Sequence, residues 1–140
     1  MTAIEQQLFT NLVKTEAEKM FEVAALLREY GLTEPQYNVL RILRGAGKEG
    51  LPCGQISERM LTRLPDITRL VDRLERDGLV SRVRPREDRR VILIRIKPKG
   101  LKLLDNLDAP MLELHRAQFS GLTKAEAREF KRLLEKARRY

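Results

Sequence analysis

The sequence predicts a mainly α-helical fold with one small β-hairpin, namely a winged helix-turn-helix set between amino- and carboxy-terminal helices. Two observations lead to this fold class. Six segments carry apolar residues at helical spacing, and one stretch rich in β-branched residues lies between the fourth and the fifth of them. The 140 residues, 42% hydrophobic and 34% charged, indicate a folded chain of single-domain size. We therefore expect one domain over residues 1–140, with the winged helix-turn-helix at 33–97 and terminal helices at 2–30 and 98–140.

The first two helices are predicted from their start and end signals. Thr2 and Glu5 have the spacing of a capping box, and Gly31 is the kind of residue that ends a helix. Thr33 and Gln36 form a second capping box directly afterwards. Apolar residues at helical spacing support both helices: Leu8, Leu12, Met20, Val23, Leu27, Val39, Leu40 and Leu43.

The third and fourth helices follow a turn predicted at residues 50–52. A short third helix is expected from about Cys53, and a fourth from Pro65, because proline at the first helical position loses no useful hydrogen bond. Gly78 is the expected C-terminal cap of the fourth helix. Its buried face is predicted from the spacing of Ile67, Leu70, Val71 and Leu74.

The hairpin and the last two helices complete the chain. Residues 79–84 and 91–96 are rich in β-branched side chains and flank the polar loop 85–90, which predicts two antiparallel strands. A leucine-rich helix is expected after Pro98, and the capping box of Thr123 and Glu126 predicts the last helix. The order of helix, short helix, helix and hairpin within residues 33–97 is that of a winged helix-turn-helix.

Positive charge is concentrated in the middle of the chain. The net charge is +8, of which residues 59–99 carry +7, residues 1–58 carry −2 and residues 100–140 carry +3. A localised positive field suits a polyanion, because contact with phosphates releases counterions. A basic surface that serves only solubility is the alternative, and charge alone does not decide between the two.

The outward face of the fourth helix favours the polyanion. Basic and hydrogen-bonding side chains lie opposite its apolar stripe. A helix in the major groove reads bases with its first turns, whereas phosphate contacts position the protein without specifying sequence. We expect base contacts from Pro65, Asp66, Thr68 and Arg69, and phosphate contacts from Arg63, Arg73 and Arg76.

The hairpin loop is the second candidate DNA-binding element. Five arginines lie between residues 82 and 90, a cluster that repels itself unless an anion meets it. An arginine at a hairpin tip can enter a narrow minor groove, and Asp88 is close enough in sequence to hold Arg90 in place. The wing candidates are Arg84, Arg86, Asp88, Arg89 and Arg90, and a solvated turn is the alternative.

Several of these segments together resemble the MarR family of transcriptional regulators. The resemblance rests on the run LVDRLERDGLVSR at residues 70–82, on Asp88-Arg89-Arg90, on Pro98-Lys99-Gly100 and on the helix start at residues 32–37. It implies a homodimer with interlocked terminal helices, a pseudo-palindromic operator, and Asp88 and Arg90 at the wing-tip Asp-x-Arg positions. It also implies release of DNA by a small, often aromatic or phenolic, anionic effector.

Two positions depart from the family pattern. Lys97 stands where the family usually has threonine, and Leu64-Pro65-Asp66 opens the recognition helix where small hydroxyl residues are common. A carboxylate near phosphates is unfavourable unless it accepts from a base or pairs with Arg63 or Arg69. These departures leave the fold intact and bear on the operator sequence.

The terminal helices also indicate a dimer on physical grounds. Residues 2–30 and 101–138 carry broad apolar stripes, and a chain of this size has little other core to cover them. An intramolecular pair of helices is the alternative. Tyr30 and Tyr37 are candidates to line an effector cavity, although packing in the helical core explains them equally well.

Other functions find less support in the sequence. No apolar run is long enough to cross a bilayer, no secretory signal is visible, and a single Cys53 forms no internal disulfide, so we expect the cytoplasm. Cys53 is expected to pack as a small hydrophobe rather than to sense oxidants, although a helix N-terminus would lower its pKa. His115 and Cys53 have no metal-ligand spacing, and no catalytic signature is present, so we expect neither a cofactor nor an enzyme. Two alternatives remain, a sequence-indifferent architectural DNA binder and a protein-interaction module.

Overall fold

The computed structural model describes residues 3–64 and 66–139, which form six helices and one two-stranded antiparallel sheet. The predicted mainly α-helical fold class with one hairpin is confirmed. The elements are α1 (Ile4–Glu29), α2 (Glu34–Ala46), α3 (Cys53–Arg59), α4 (Ile67–Arg76), β1 (Val80–Val83), β2 (Leu93–Ile96), α5 (Pro98–Gln118) and α6 (Lys124–Ala137).

Two of the three predicted capping boxes are confirmed. The Thr33 hydroxyl accepts from the Gln36 N–H at 3.3 Å, and the Gln36 side chain accepts from the Thr33 N–H at 2.9 Å. Thr123 and Glu126 repeat this exchange at 3.1 and 2.9 Å. The box predicted from Thr2 and Glu5 is not the one that starts α1, because the N-cap is Ala3, whose N–H donates to the Gln6 side chain. Thr2 itself lies outside the described residues.

The predicted start of the recognition helix is wrong by two residues. Helix α4 begins at Ile67, because the Asp66 carboxylate accepts from the Arg69 N–H at 3.1 Å and so takes the N-cap position. Pro65, the expected first residue, therefore precedes the cap and itself lies outside the described residues. The expected end is confirmed, since Gly78 follows the helix at a φ of 76°.

The hairpin has one more partner than the sequence suggests. Strands β1 and β2 pair from Val80 with Ile96 to Val83 with Leu93. Leu51, which we placed in a turn, forms an isolated antiparallel bridge with Ile94 through hydrogen bonds of 3.0 and 2.8 Å. This bridge attaches the α2–α3 connection to the base of the hairpin.

One buried apolar cluster joins the winged helix-turn-helix to the terminal helices. Its fully buried members come from almost every element: Leu27, Val39, Leu40, Leu43, Ile56, Val71, Leu74, Ile94, Leu104 and Leu107. At the start of α5, Gly100 lies so close to the residue before β1 that an added Cβ would be 2.7 Å from the Leu79 carbonyl oxygen. The glycine of the Pro-Lys-Gly segment is therefore a packing requirement.

The terminal helices leave much apolar surface uncovered. Phe9 and Phe21 of α1 are 69% and 72% exposed, and α6 has no buried residue at all. An apolar groove of about 760 Å³ runs between α1, the end of α5 and α6, lined in part by Leu8, Leu12 and Leu134. Among the residues that the structure describes, no helix is both long and apolar enough to span a bilayer.

Candidate nucleic-acid interface

Helix α4 presents the polar face that its sequence predicts. Val71 and Leu74 are fully buried against the core, whereas the side chains on the opposite face are exposed: Thr68, Arg69, Asp72, Arg73 and Arg76. Arg63, in the connection that precedes the helix, is exposed as well. The structure thus gathers every described recognition-helix candidate on one accessible surface.

Asp66 has a structural role at the start of this surface. Besides capping α4, its carboxylate lies 3.8 Å from Nε of Arg69, which is one of the two pairings expected from the sequence. The cap keeps an anion at the positive end of the helix dipole, where it is stabilising. Arg69 nevertheless stays accessible, with 85% of its side chain exposed.

Arg82 is one of the five arginines between residues 82 and 90, and its partners within the chain make it part of the scaffold. Its guanidinium lies 2.6 Å from Asp72 and 2.7 Å from Glu75, and its backbone N–H donates to Glu75 at 3.2 Å. Asp72 and Glu75 lie on α4 and Arg82 on β1, so this ion-pair cluster joins the recognition helix to the wing. Sequence reasoning missed it because the partners are seven and ten residues apart on different elements.

Two hydrogen-bonded links shape the wing loop. The Asp88 carboxylate accepts from the Arg90 N–H at 3.1 Å and from Nε of Arg90 at 3.0 Å. The Arg90 side chain and backbone N–H together hold the pKa of Asp88 below its ordinary value. Arg84 donates to the Arg89 carbonyl oxygen at 2.7 Å and so closes the loop from the other side. The predicted Asp88–Arg90 contact is confirmed, and 91% of the Arg90 side chain stays exposed.

The remaining arginines leave a net positive surface. Within residues 3–64 and 66–139, no carboxylate lies within ion-pair distance of four exposed side chains of this face: Arg63, Arg73, Arg76 and Arg86. The exposed Arg89 guanidinium also has no carboxylate within ion-pair distance among these residues. Four acidic side chains near the face are engaged by Arg69, Arg82 and Arg90, namely Asp66, Asp72, Glu75 and Asp88. Glu87 of the wing is exposed, and the five unpaired arginines outnumber it, so positive charge dominates the field.

Asn38, like Arg82, positions the recognition helix, and its role was not predicted from the sequence. It is 7% exposed on α2, and its Oδ1 accepts from the Leu61 N–H at 2.8 Å in the connection between α3 and α4. A buried amide that satisfies a turn N–H fixes the turn of the helix-turn-helix. The available signal was an asparagine inside the apolar run of α2.

Cys53 is the first residue of α3 and is half-buried. Burial raises the pKa of its thiol, an effect that the positive charge of Arg82 only partly opposes. Desolvation by burial is the largest cause, so the thiol at the start of α3 is not activated as a thiolate. A neutral, packed thiol agrees with the role of a small hydrophobe.

A small cleft lies where the winged helix-turn-helix meets the terminal helices. It measures about 380 Å³ and is lined by residues of the α1–α2 connection, of the α4–β1 connection and of α5, among them Tyr30, Leu79, Lys99, Lys102 and Asn106. Nζ of Lys99 donates to the Asp77 carbonyl oxygen at 2.7 Å. Tyr37 is 8% exposed and belongs to the core, so of the two candidate tyrosines only Tyr30 lines this cleft.

This arrangement defines a winged helix-turn-helix DNA-binding protein, and comparison with known proteins gives the family. The model described as the MarR family matches residues 32–92. The HTH-type transcriptional repressor IacR of Pseudomonas putida is 34% identical over 110 residues, which are 79% of this chain and span only 65% of that relative. The structure of a MarR transcription factor from Planctomyces limnophilus is 37% identical, covers 96% of this chain and 98% of its own, and superposes with a TM-score of 0.72.

A DNA complex is also among the similar structures. S. aureus MepR bound to DNA is 25% identical, covers 94% of both chains and has a TM-score of 0.80. The chain belongs to the MarR family and is a helix-turn-helix transcriptional regulator, which confirms the resemblance found in the sequence.

Proposed function

We propose that this protein is a sequence-specific repressor that binds a pseudo-palindromic duplex operator as a homodimer. One observation carries the proposal: the unpaired basic face of α4 and an exposed, pre-oriented Arg90 lie on the same winged helix-turn-helix. A repressor among its relatives and a DNA complex among its structural neighbours support it. We place this activity in the cytoplasm and expect no enzymatic reaction.

The interface residues divide into three roles. Thr68 and Arg69 on the first turn of α4 read base edges, together with Pro65. Asp66 and Arg84 shape the surface, because their polar groups are engaged within the chain. The remaining arginines meet phosphates or the minor groove: Arg63, Arg73 and Arg76 next to the major groove, and Arg86, Arg89 and Arg90 on the wing.

The proposed dimer follows from the apolar groove of the terminal helices. We assign residues 33–97 to DNA binding and residues 2–30 and 98–140 to dimerisation within one domain. A second copy that inserts its own terminal helices would cover the exposed side chains of α1 and α6. Two-fold symmetry then separates the recognition helices by about 34–36 Å, one turn of DNA.

The cleft between α1, α4 and α5 is the proposed effector site. Lys99 and Lys102 supply positive charge and Tyr30 an aromatic ring, which suits a small aromatic anion. Because the cleft is lined both by the α4–β1 connection, at Asp77 and Leu79, and by the terminal helix α5, a bound molecule can change how the two parts sit on each other. Lys102→Ala should weaken ligand-induced release of DNA in an anisotropy titration with aromatic carboxylates, and should leave ligand-free operator binding unchanged.

The proposed function is tested by fluorescence anisotropy with DNA from upstream of the gene for this protein and with a scrambled duplex. We expect tighter binding to the upstream duplex and a steep loss with salt. Arg90→Ala should weaken binding, and Arg69→Ala should relax base preference at one or two operator positions. Arg132→Ala is the matched control, because it removes an arginine that pairs with Glu129 on α6, far from the interface in sequence.

The outcomes separate the alternatives. Equal affinity for both duplexes would indicate an architectural DNA binder. No binding at low salt would contradict the proposal and favour a protein-interaction module, whose partner binding survives neutralisation of the arginine face. A uniform loss for Arg69→Ala on every duplex would reassign Arg69 to phosphate contact.

A further inference from the structure

We propose that the ion pair between Arg44 on α2 and Asp108 on α5 fixes the angle of the winged helix-turn-helix on the terminal helices, and thereby the half-site spacing that the dimer accepts. This inference rests on the proposed function, because spacing has meaning only for a dimer on an operator. Arg44 and Asp108 are then positioning residues that touch no DNA.

The geometry of the pair is directional. Nη1 and Nη2 of Arg44 donate to Oδ2 and Oδ1 of Asp108 at 2.8 and 3.0 Å, a two-bond contact that fixes both distance and orientation. Asp105, one helical turn earlier on α5, lies 3.7 Å from the same guanidinium. The hydrogen bonds from Arg44 also hold the pKa of Asp108 below its ordinary value. Arg44 is thus held by two acidic groups of one helix.

This contact differs from the rest of the junction between α2 and α5. Across residues 3–64 and 66–139, it is the one ion-pair cluster that joins residues 33–97 to the terminal helices. Tyr37 and Arg41 of α2 also lie within electrostatic range of Asp108, but neither is its ion-pair partner. Buried leucines of the apolar cluster pack beside them: Leu40, Leu43, Leu104 and Leu107. Apolar packing is non-directional and accepts small shifts, whereas a two-bond ion pair specifies one arrangement.

Helix α2 passes this arrangement to the recognition helix. Arg44 lies near its end, and Asn38, near its start, holds the turn before α4 through the Leu61 N–H. A rotation of α2 on α5 would therefore move α4 with it. In a symmetric dimer, both copies of α4 would move, and the distance between them would change.

Operator spacing measures this distance directly. One base pair inserted at the operator centre displaces the half-sites by about 3.4 Å and rotates them by about 35°. A dimer in which residues 33–97 are held rigidly on the terminal helices should lose most of its affinity for such a duplex. A dimer in which this attachment is loosened should lose less.

The experiment compares the wild-type protein and Asp108→Asn on the native operator and on the operator with one inserted base pair. Asp108→Asn keeps the shape of the side chain and removes its charge. For native DNA we expect a loss of about fivefold, the size that two half-exposed ion pairs reach in a dimer. The ratio of native to inserted affinity should fall by about threefold or more. Arg44→Lys keeps the charge but loses the two-nitrogen geometry of the guanidinium, so it should give an intermediate ratio.

Two controls separate position from general stability. Asp105→Asn removes only the 3.7 Å contact on the same helix and should leave the ratio near that of the wild type. Arg44→Gln combined with Asp108→Asn should equal the single variants rather than add to them, as expected for one shared contact. Melting temperatures would show that all variants are folded.

An unchanged ratio in folded Asp108→Asn would overturn the inference while the proposed function stands. If the wild-type protein itself failed to distinguish the operator from a scrambled duplex, the proposed function and this inference would fall together. Asp105→Asn equal to Asp108→Asn would also overturn it, since charge on α5 rather than the two-bond contact would then be responsible.

Discussion

The winged helix-turn-helix and the terminal helices differ in how completely they bury their apolar side chains within one chain. In α4, Val71 and Leu74 are fully buried, and the exposed face is polar. In α6, no residue is buried and Leu133 is 47% exposed, while α1 leaves two phenylalanines largely in solvent. The winged helix-turn-helix buries its apolar side chains within one chain. The terminal helices leave part of theirs exposed, and a second copy would cover them.

This difference explains how specificity and assembly are divided. The DNA-facing surface can be charged because the core beneath it is complete. The terminal helices instead keep an apolar surface of the kind that marks interfaces.

The largest effect is expected in the core of the winged helix-turn-helix. Leu74→Ala should lower the free energy of unfolding by about 2–5 kcal/mol, because it removes a fully buried side chain and leaves a cavity. Leu133→Ala removes the same atoms from a half-exposed site and should cost less than about 1 kcal/mol when both substitutions are compared in the presence of Leu12→Glu, which we expect to separate the two copies. Urea titration of both variants measures the difference, and equal losses would contradict the comparison.

The next effect is on assembly. Leu12→Glu places a charge in the apolar groove, so the variant should sediment as a single chain of 16.3 kDa, whereas we expect the wild-type protein to sediment at twice that mass. Leu61→Glu is the matched control, because Leu61 is 76% exposed and lies outside the groove. A Leu12→Glu protein that remains dimeric would show that the interface lies elsewhere.

The Arg82 cluster should contribute less than a core leucine. Arg82→Met should destabilise the protein by about 2 kcal/mol, since it removes hydrogen bonds to two carboxylates and leaves them close together. Arg86→Met removes the same charge from the same hairpin without breaking an ion pair within the described residues, and should leave the unfolding curve in place. If the two variants unfolded alike, the Arg82 ion-pair cluster would not contribute to the stability of the fold.

The two confirmed capping boxes allow a matched test of the two regions. Thr33→Ala should cost about 1 kcal/mol of global stability, because α2 is packed into the core. Thr123→Ala should act locally on α6, which has no buried residue. Hydrogen exchange would then show faster exchange confined to residues 124–137 for Thr123→Ala. Global destabilisation by both variants would mean that α6 is coupled to the core.

The smallest effect is a difference in pH dependence between these boxes. The Thr123 N–H and hydroxyl hold the pKa of Glu126 below its ordinary value of 4.5. The stability that this carboxylate gives α6 is therefore present above pH 4.5 and is lost as the pH falls through the lowered pKa. The box of α2 uses the uncharged Gln36 and should not respond. Exchange rates of the two helices between pH 5 and pH 3 measure this. Glu126→Gln should remove the contribution of the box, and the response that remains in α6 comes from Glu129 and Glu135, whose pKa values are lowered by Arg132 and Lys131.

Local signals explain what could be predicted from the sequence. The capping boxes of α2 and α6, the stripe of α4, Gly78 and the Asp88–Arg90 contact all depend on residues a few positions apart, and each is confirmed. The predicted start of α4 at Pro65 is wrong for a local reason as well. Two signals for a helix start lie side by side, and the carboxylate of Asp66 caps the helix in preference to a start at the proline before it.

Non-local contacts explain what could not be predicted. Arg82 and Arg44 look like any other basic residues in the sequence, since nothing local shows that their carboxylates come from another element. The pairing of Leu51 with Ile94 joins residues far apart in the chain and leaves no periodic pattern around Leu51. The positions of the scaffold arginines therefore required the tertiary structure.

The contact between Asp88 and Arg90 has a further consequence for conformational entropy. A free arginine side chain loses about 2 kcal/mol of rotamer entropy when a partner immobilises it. Here much of that loss occurs as the hairpin folds, before any duplex arrives, because Nε and the backbone N–H of Arg90 are already bound to Asp88. Asp88→Asn would make the protein one charge more positive and yet, in a titration at fixed salt, a weaker binder of its operator.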